Sequence, residues 1–488
     1  MPFTFDPTYP QLAAALFRRQ RPTPVPNPAI LVVNPALADT LGLTLSELTS
    51  PEGLAVLGGN AVPPGAEPLA LGYAGHQFGH YVPQLGDGRA LLLGEVVGKD
   101  GLRRDIQLKG AGPTPFSRGG DGRAALGPVL REYLLSEAMA ALGVPTTRAL
   151  AAVTTGLPVF RETVLPGAVL ARVAASHLRI GTFQYCAGLR DVPALQQLTD
   201  YALARHFPDA DVSQGPALAL LDRVIAAQAS LVAHWMALGF IHGVMNTDNT
   251  AISGETLDYG PCAFLDGFDP GHAFSSIDRS GRYAYQNQPQ IAHWNLVRLA
   301  EALLPLVDSD TDRAVAVLTD HLAAFGPQFE AAYLRHFRAK LGLHQALPED
   351  LKLIEQLLTV MAEWRVDFTL AFRLLSGVPE SADLQPVADL YNDPAAFVAW
   401  AARWQDRLAR EGRNPADVAA TMGAANPAFI ARNHQVEAAL AAAHQGDMAP
   451  FERLSRVLAR PYTDQPDAAD VAVPPGAAQW DYRTFCGT

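Results

Sequence analysis

Two strand-like runs, RALLLGEVVG and LRRDIQLKG, flank the turn tripeptide KDG and predict a β-hairpin beginning at Arg89, in which Ile106 and Leu108 alternate with Gln107 and Lys109. A glycine-rich loop, GAGPTPFSRGGDGR, follows. Leu126 to Leu142 then reads as a helix, with Pro128 tolerated in its first turn and Gly143 closing it. The stretch TTRALAAVTTGLPVFRETVLPGAVLARVAA returns to short β-like runs punctuated by Gly and Pro, and this mixed pattern ends near Thr182. Beyond it the period changes. Apolar residues recur at helical spacing over Leu218 to Leu238 and over Asp350 to Leu375, and alanine-rich helices continue to about Leu458.

Two proline-rich stretches, Pro22 to Pro28 and Ala61 to Pro68, read as ordered connectors around a leading segment. The closing PYTDQPDAADVAVPPGAAQ has few large apolar residues and many turn formers, which predicts a loop or a tail on the surface. The expected organisation is α+β: an N-terminal extension over residues 1–68, a small mixed β/α lobe over 69–182, a larger mainly helical lobe over 183–458 and a C-terminal tail over 459–488.

Composition narrows the function classes. With 488 residues and 49% apolar content the chain can bury a large core without staples. Its net charge of -12 is spread without a basic block, which disfavours nucleic acid and anionic membrane surfaces as partners. Cys186, Cys262 and Cys486 lie far apart with no CxxC, which excludes a disulfide framework or a cysteine-built zinc site and fits a reducing compartment. The arginines of the N-terminus follow its apolar stretch, the reverse of an export signal, and Asp222, Arg223 and His234 interrupt the apolar run from Ala217 to Phe240. A soluble, cytoplasmic protein is expected.

The strongest chemical signal is HGVMNTDN, His242 to Asn249, with Asp258 in DYG nine residues further on. Asn and Asp supply the hard oxygens that Mg²⁺ prefers, so Asn249 and Asp258 are the candidate metal ligands. His242 and Asn249 keep the spacing of the HRDxxxxN loop of protein kinases, and DYG stands where those enzymes have DFG. Val244 occupies the position of the kinase base and cannot accept a proton, which leaves Asp248 as the candidate base. An isolated Asn-Asp cluster is also what a plain polar turn looks like; the agreement of several parts on one architecture argues against that here.

Lys109 is one of only four lysines and ends a strand just before glycines, a place suited to phosphate. Its carboxylate partner would come from the next helix, where Glu132 and Glu137 point to different faces; Glu132 is preferred. QLGDGRA, with Gly86, Gly88 and Arg89, could bring backbone and a guanidinium to a phosphate, although GDG is equally a hairpin turn. Arg172 and Arg179 would share a face if their stretch is helical. His76 and His80 have the i, i+4 spacing of a metal pair but lack a third ligand. Neither a G-x-S-x-G elbow nor a Walker A sequence occurs, which removes serine-hydrolase and P-loop readings.

Together YAGHQFGHYVPQLGDGRA, DIQLKGAGPTPFSRGGDGRA, LREYLLSEAMAALGVPTTRAL, RVAASHLRIGTFQY, HGVMNTDN and DYGPCAFLD resemble the selenoprotein O family, from about Gly72 to Pro289 and more loosely to the C-terminus. The resemblance implies a protein-kinase-like two-lobed fold that binds ATP in reversed orientation with Mg²⁺ or Mn²⁺ and transfers AMP to Ser, Thr or Tyr hydroxyls of proteins. It implies nucleotide contacts from Gly86, Gly88, Arg89, Lys109, Asp121, Gly122, Arg172 and Arg179, metal ligation by Asn249 and Asp258, and proton acceptance by Asp248. Asp121 enters only through the resemblance. Family members carry a cysteine or selenocysteine near the C-terminus, and Cys486 in TFCGT takes that place, with Cys262 or Cys186 as its redox partner if it has one. An ordinary kinase, a nucleotide-sensing scaffold that transfers nothing, and UTP as donor are the alternatives.

Overall fold

The hairpin expected from Arg89 onward is the middle of a wider sheet in the computed structural model, which describes residues 3–476 and 482–484. The chain contributes β1 (Phe17–Arg19), β2 (Ala29–Val33), β3 (Leu69–Leu71), β4 (Gly75–Gln77), β5 (His80–Val82), β6 (Ala90–Val97), β7 (Arg103–Lys109), β8 (Ala124–Ala125), β9 (Arg148–Phe160) and β10 (Val164–Ala174). Except for β4 and β5, which pair with each other, these join one antiparallel sheet in the order β1-β3-β6-β7-β10-β9-β2, with β8 set against β10.

Residues 1–68 supply both edge strands and the cover of one sheet face. Leu37, Leu48 and Val56, from the short helices Pro35–Thr40, Leu45–Thr49 and Pro51–Leu57, pack with Leu91, Ile106 and Val153. The opposite face, carrying Leu92, Ala152 and Leu170, packs on Leu130 and Leu134 of the helix Leu126–Ala141. That alternation along each strand is the period-2 pattern of a sheet buried on both faces.

The runs expected to be short between Arg148 and Ala174 are long strands of 13 and 11 residues. Pro158 and Pro166 stand opposite each other near the distal end of the β9–β10 hairpin, beyond the Leu170–Ala174 segment where β10 pairs with β7, so neither interrupts the central ladder. Conversely, the single periodic stretch from Asp350 to Leu375 is two helices, Asp350–Glu363 and Phe368–Leu375. Arg365 breaks it with a φ of 47°, and the Asp367 carboxylate caps the second helix by accepting from the Leu370 amide at 2.7 Å.

After β10 the chain is mainly helical. The helix Pro216–Ala237 is long and apolar enough to cross a membrane, but 67% of its most apolar window is buried, with Leu220, Leu221 and Ile225 at 0% exposure in the protein core. Among the described residues after Leu458 the regular elements are a 3-10 turn and the four-residue helix Ala469–Ala472, and Thr484 pairs with Ser275.

Distant helical segments are knotted together at Arg432, a buried guanidinium bonded to Asp266, to Asp367 at 2.8 Å and to the Ala472 carbonyl at 3.0 Å. Burial pushes the Asp266 carboxyl up to about 6, with Arg432 opposing. Removing the cation from such a cluster leaves two carboxylates facing each other in low dielectric, so Arg432→Met is expected to lower stability by ~3–5 kcal/mol in urea denaturation. An unchanged midpoint would show the node to be dispensable.

Candidate active site

Lys109 closes β7 with its side chain buried, and its ammonium lies between two carboxylates: Glu132 at 2.5 Å and Asp258, with which it makes a short contact. Of the two glutamates on the Leu126–Ala141 helix, Glu132 faces Lys109. Glu137 turns to Arg148, at 2.8 and 2.6 Å, and to the Ala149 amide. The different faces follow from a separation of about one and a half turns.

Arg172 and Arg179 do not share a helix face. Arg172 lies in β10 and Arg179 is the N-cap of the helix Ile180–Gly188, yet both guanidiniums come back to the same buried region. Arg172 donates to Glu132 at 3.1 Å and to Gln107 at 2.5 Å, and lies 3.9 Å from Asp258. Arg179 donates to the Asp248 carbonyl at 2.8 Å, stands 3.6 Å from Asp87 and lies 4.2 Å from the centre of the Tyr73 ring. Asp87 accepts from Gln107 at 3.0 Å and closes the network. Sequence reading passed over Asp87, Gln107 and Tyr73. Gln107 had a signal: it is two residues from Lys109 on one strand and therefore on the same face.

The loop from His242 to Asp258 is held by its own polar groups. His242 Nε2 donates to the Leu257 carbonyl at 3.2 Å while Nδ1 accepts from the Val244 amide at 3.4 Å, which binds the two motifs HGVMNTDN and DYG to each other. Asn249 donates through Nδ2 to the Val244 carbonyl at 3.1 Å, which leaves its Oδ1 as an acceptor. Asp258 sits at a φ of 70°, and its hydrogen bonds from Lys109 and the Tyr259 amide both fall on Oδ1. Burial alone would raise the Asp258 carboxyl, but Lys109 and Arg172 outweigh it and hold the group well below the usual carboxylate range.

Asp248 is the opposite case. Its Oδ2 accepts only a long bond from Gln77 at 3.4 Å, and its buried Oδ1 has no partner. Burial pushes its carboxyl up, against the pull of Arg179. The room it occupies depends on Gly75, where a Cβ would fall 2.3 Å from Asp248 Oδ1.

Gly86, with a φ of 70°, and Gly88 run beneath the 113–117 segment; a Cβ on Gly86 would meet the Phe116 ring at 2.3 Å, so both serve close packing of this loop. Arg89 lines a cavity of about 340 Å³ together with Lys109, Glu132 and Asp258. Asp121 and Gly122 lie on an arm of the glycine loop. Asp121 pairs with Arg161 at 2.9 Å, the Gly122 carbonyl accepts from Gly112 at 3.0 Å, and no described contact joins either to Lys109. His76 and His80 lie on the β4–β5 hairpin rather than a helix, and His76 is bonded to Gln184 at 2.9 Å. Among the described residues no group of three or more His, Cys, Asp or Glu side chains forms a metal cluster. Cys186 and Cys262 are buried free thiols, each pushed up to about 12, chiefly by burial; Cys486 lies outside the described residues.

The site thus brings together a lysine between two carboxylates, two buried arginines and an aspartate with one unpartnered oxygen. Two relatives carry the same description: protein nucleotidyltransferase YdiU of Bradyrhizobium sp. (strain ORS 278) is 57% identical over 487 residues, covering 100% of this chain and 99% of that protein. The YdiU of a strain of Methylorubrum extorquens is 60% identical over 494 residues, with the same coverage. The chain is thus a nucleotidyltransferase. Residues 1–459 match the family described as protein adenylyltransferase SelO, and the chain belongs to that family.

Proposed function

We propose that this enzyme transfers AMP from ATP to Ser, Thr or Tyr hydroxyls of other proteins, within a protein-kinase-like two-lobed fold that holds ATP reversed. The observation that carries the reading is the pair of buried guanidiniums, Arg172 and Arg179, of which Arg172 shares Glu132 with Lys109. A buried region furnished with two arginines, Gln107 and Asp87 suits the terminal phosphates of a nucleotide and not an apolar base. The α-phosphate then lies toward the loop of Asp248 and Asn249.

Lys109 and Arg89 bind phosphate oxygens, and Glu132 fixes the lysine. Gly86, Gly88, Asp121 and Gly122 complete the nucleotide contacts that the family resemblance implies. Asn249 Oδ1 and Asp258 Oδ2, the oxygens left free of described hydrogen bonds, would hold Mg²⁺ or Mn²⁺; two protein oxygens with phosphate and water completing the shell is a usual magnesium arrangement. When bound, the metal supplies charge neutralisation on the phosphates. Asp248 takes the proton as the substrate hydroxyl oxygen forms its bond to the α-phosphorus, the bond to the β-phosphate oxygen breaks, and pyrophosphate leaves. Val244 in the kinase base position is then no defect. Dispersed cysteines and unclustered charge fit action in the cytoplasm.

Incubation with ATP labelled at the α- or the γ-phosphate tests the reading. Label on protein is expected only from the α position; γ label would make the enzyme a kinase, and binding with no label in either case would make it a sensor. UTP labelled at the α-phosphate decides whether UMP is also transferred. Gly75→Ala provides a second check, because its methyl group must displace the Asp248 carboxylate. The expected result is a fall in kcat of roughly 10²-fold with ATP affinity unchanged, and full activity would remove Asp248 from the mechanism.

A further inference from the structure

We infer that the polypeptide to be modified docks on the β4–β5 hairpin and the Trp294 face beside it, and that Arg282 there pairs with an acidic residue next to the acceptor hydroxyl. The inference rests on the reading of Asp248 as the group that meets that hydroxyl, and deepens it. The hairpin covers the loop that carries Asp248. The His76 amide donates to Thr247 Oγ1 at 2.7 Å, the Phe78 amide donates to Asn246 Oδ1 at 3.0 Å, and Gln77 is the side chain that reaches Asp248. Because Gln77 pairs with His80, the turn is Phe78 and Gly79, with φ of 50° and 86°, the left-handed pair that a two-residue hairpin favours. Such a conformation strains an aromatic residue. It is held here by the Phe78 amide bond and by the Phe78 ring, 5.1 Å from that of Tyr283. A hydroxyl brought to Asp248 thus arrives past a fixed edge, and the chain carrying it lies against that edge.

The edge is aromatic and basic. The His76 ring lies 4.9 Å from Tyr81, which is 46% exposed, and 5.1 Å from the Trp294 indole. Arg282 and Arg298 each lie 4.9 Å from that indole. Arg298 is paired with Glu301 at 2.7 Å, whereas Arg282 has no carboxylate partner among the described ion pairs and its Nε is buried without an acceptor. The Arg282 guanidinium abuts the turn, 3.7 Å from where a Cβ on Gly79 would fall, and so stands two residues from Gln77. Burial pushes the His76 imidazole down, with Arg298 and Arg282 adding to the fall, so the charge of this face comes from the arginines. In a chain of net charge -12, an arginine left without a carboxylate beside the reacting loop is complementary to an acidic partner. Exposed aromatics next to arginine are also what protein interfaces favour. An Asp or Glu of the substrate would neutralise Arg282, and a Lys in that place would be repelled.

The test uses the full-length protein and synthetic peptides with a central Ser, Thr or Tyr flanked by Glu, Ala or Lys. Transfer is read with ATP labelled at the α-phosphate, and binding by the anisotropy of fluorescent versions of the same peptides. The Glu-flanked peptides are expected to exceed the Lys-flanked ones by roughly 10-fold in kcat/KM, through KM, and to bind more tightly in the same order. Arg282→Glu should reverse that order and Arg282→Gln should erase it, both with MgATP affinity unchanged; the Gln variant decides the matter if the Glu variant does not fold. The same order in all three proteins, an equal loss for every peptide, or neither binding nor transfer of any peptide overturns the docking face. A wild-type dimer in sedimentation that Arg282→Glu dissociates gives the face to a second copy of the chain and overturns it too. Peptides that bind in the expected order but take no α label support the face and defeat the AMP-transfer reading, a distinct failure.

Discussion

Asp248→Asn is expected to transfer AMP about 10²-fold more slowly than wild type while unfolding at a higher temperature. Both effects come from one carboxylate that is buried, has an unpartnered oxygen and is pushed above its ordinary range by that burial. In the unfolded chain the group ionises at its usual low pKa. The folded state therefore holds the proton more tightly, and the group's favourable contribution, complete below the unfolded pKa, is lost as pH rises through the raised folded value. At neutral pH the native protein carries a charge it would do better without. Asparagine has nearly the same shape and removes that charge, and the Asp248 carbonyl that Arg179 holds is unaffected. The kcat of wild type should rise with pH through the raised pKa, and this limb should vanish in the variant. A variant less stable than wild type, or one that retains the limb, would contradict the account.

Asp258→Ala is expected to be the more damaging change, lowering transfer by at least ~10³-fold and weakening the dependence of nucleotide binding on Mg²⁺. On the proposed reading Asp258 has two tasks: it balances Lys109 and Arg172 through Oδ1, and its Oδ2, free of described hydrogen bonds, would hold the metal. Without it the two cations share only Glu132. Titration of MgATP and of metal-free ATP separates the tasks: loss of the difference between them marks lost metal binding, whereas equal weakening of both would mean that the residue merely holds Lys109. Asp248→Asn should leave MgATP affinity intact, and equal loss in both variants would refute the division of roles.

Motifs whose parts are close together are legible in the sequence itself. The hairpin ending at Lys109, the helix carrying Glu132, and the HGVMNTDN and DYG loops are each specified within a few residues, by alternation, turn chemistry or spacing. Asp87 and Gln107 were missed because their role is set by sheet register: Gln107 lies opposite Leu92 on β6 and opposite Arg172 on β10, and only that pairing brings it to the arginine. Arg172 and Arg179 were placed together for the wrong reason. Their convergence comes from a strand running into a helix cap, not from a shared helical face. The edge strands β1 and β2 were invisible because three and five residues are too short for a period to show, and their partners lie about 50 and 120 residues away in sequence.

The placement of those two edge strands turns the proline-rich linker into a strut. Residues 20–28 must run from one rim of the sheet to the other, across six interstrand steps of about 4.8 Å, a span of roughly 29 Å. Ten extended peptide units reach only about 33–36 Å. There is little slack, and prolines at 22, 24, 26 and 28 hold the backbone near its drawn-out form. Midway, the Thr23 amide donates to the Ala111 carbonyl at 2.9 Å and the Thr23 carbonyl receives Arg123 at 3.3 Å, so the tie-bar is fastened to the glycine loop on both of its arms. Shortening it by even one or two residues would therefore strain a loop nearly a hundred positions downstream.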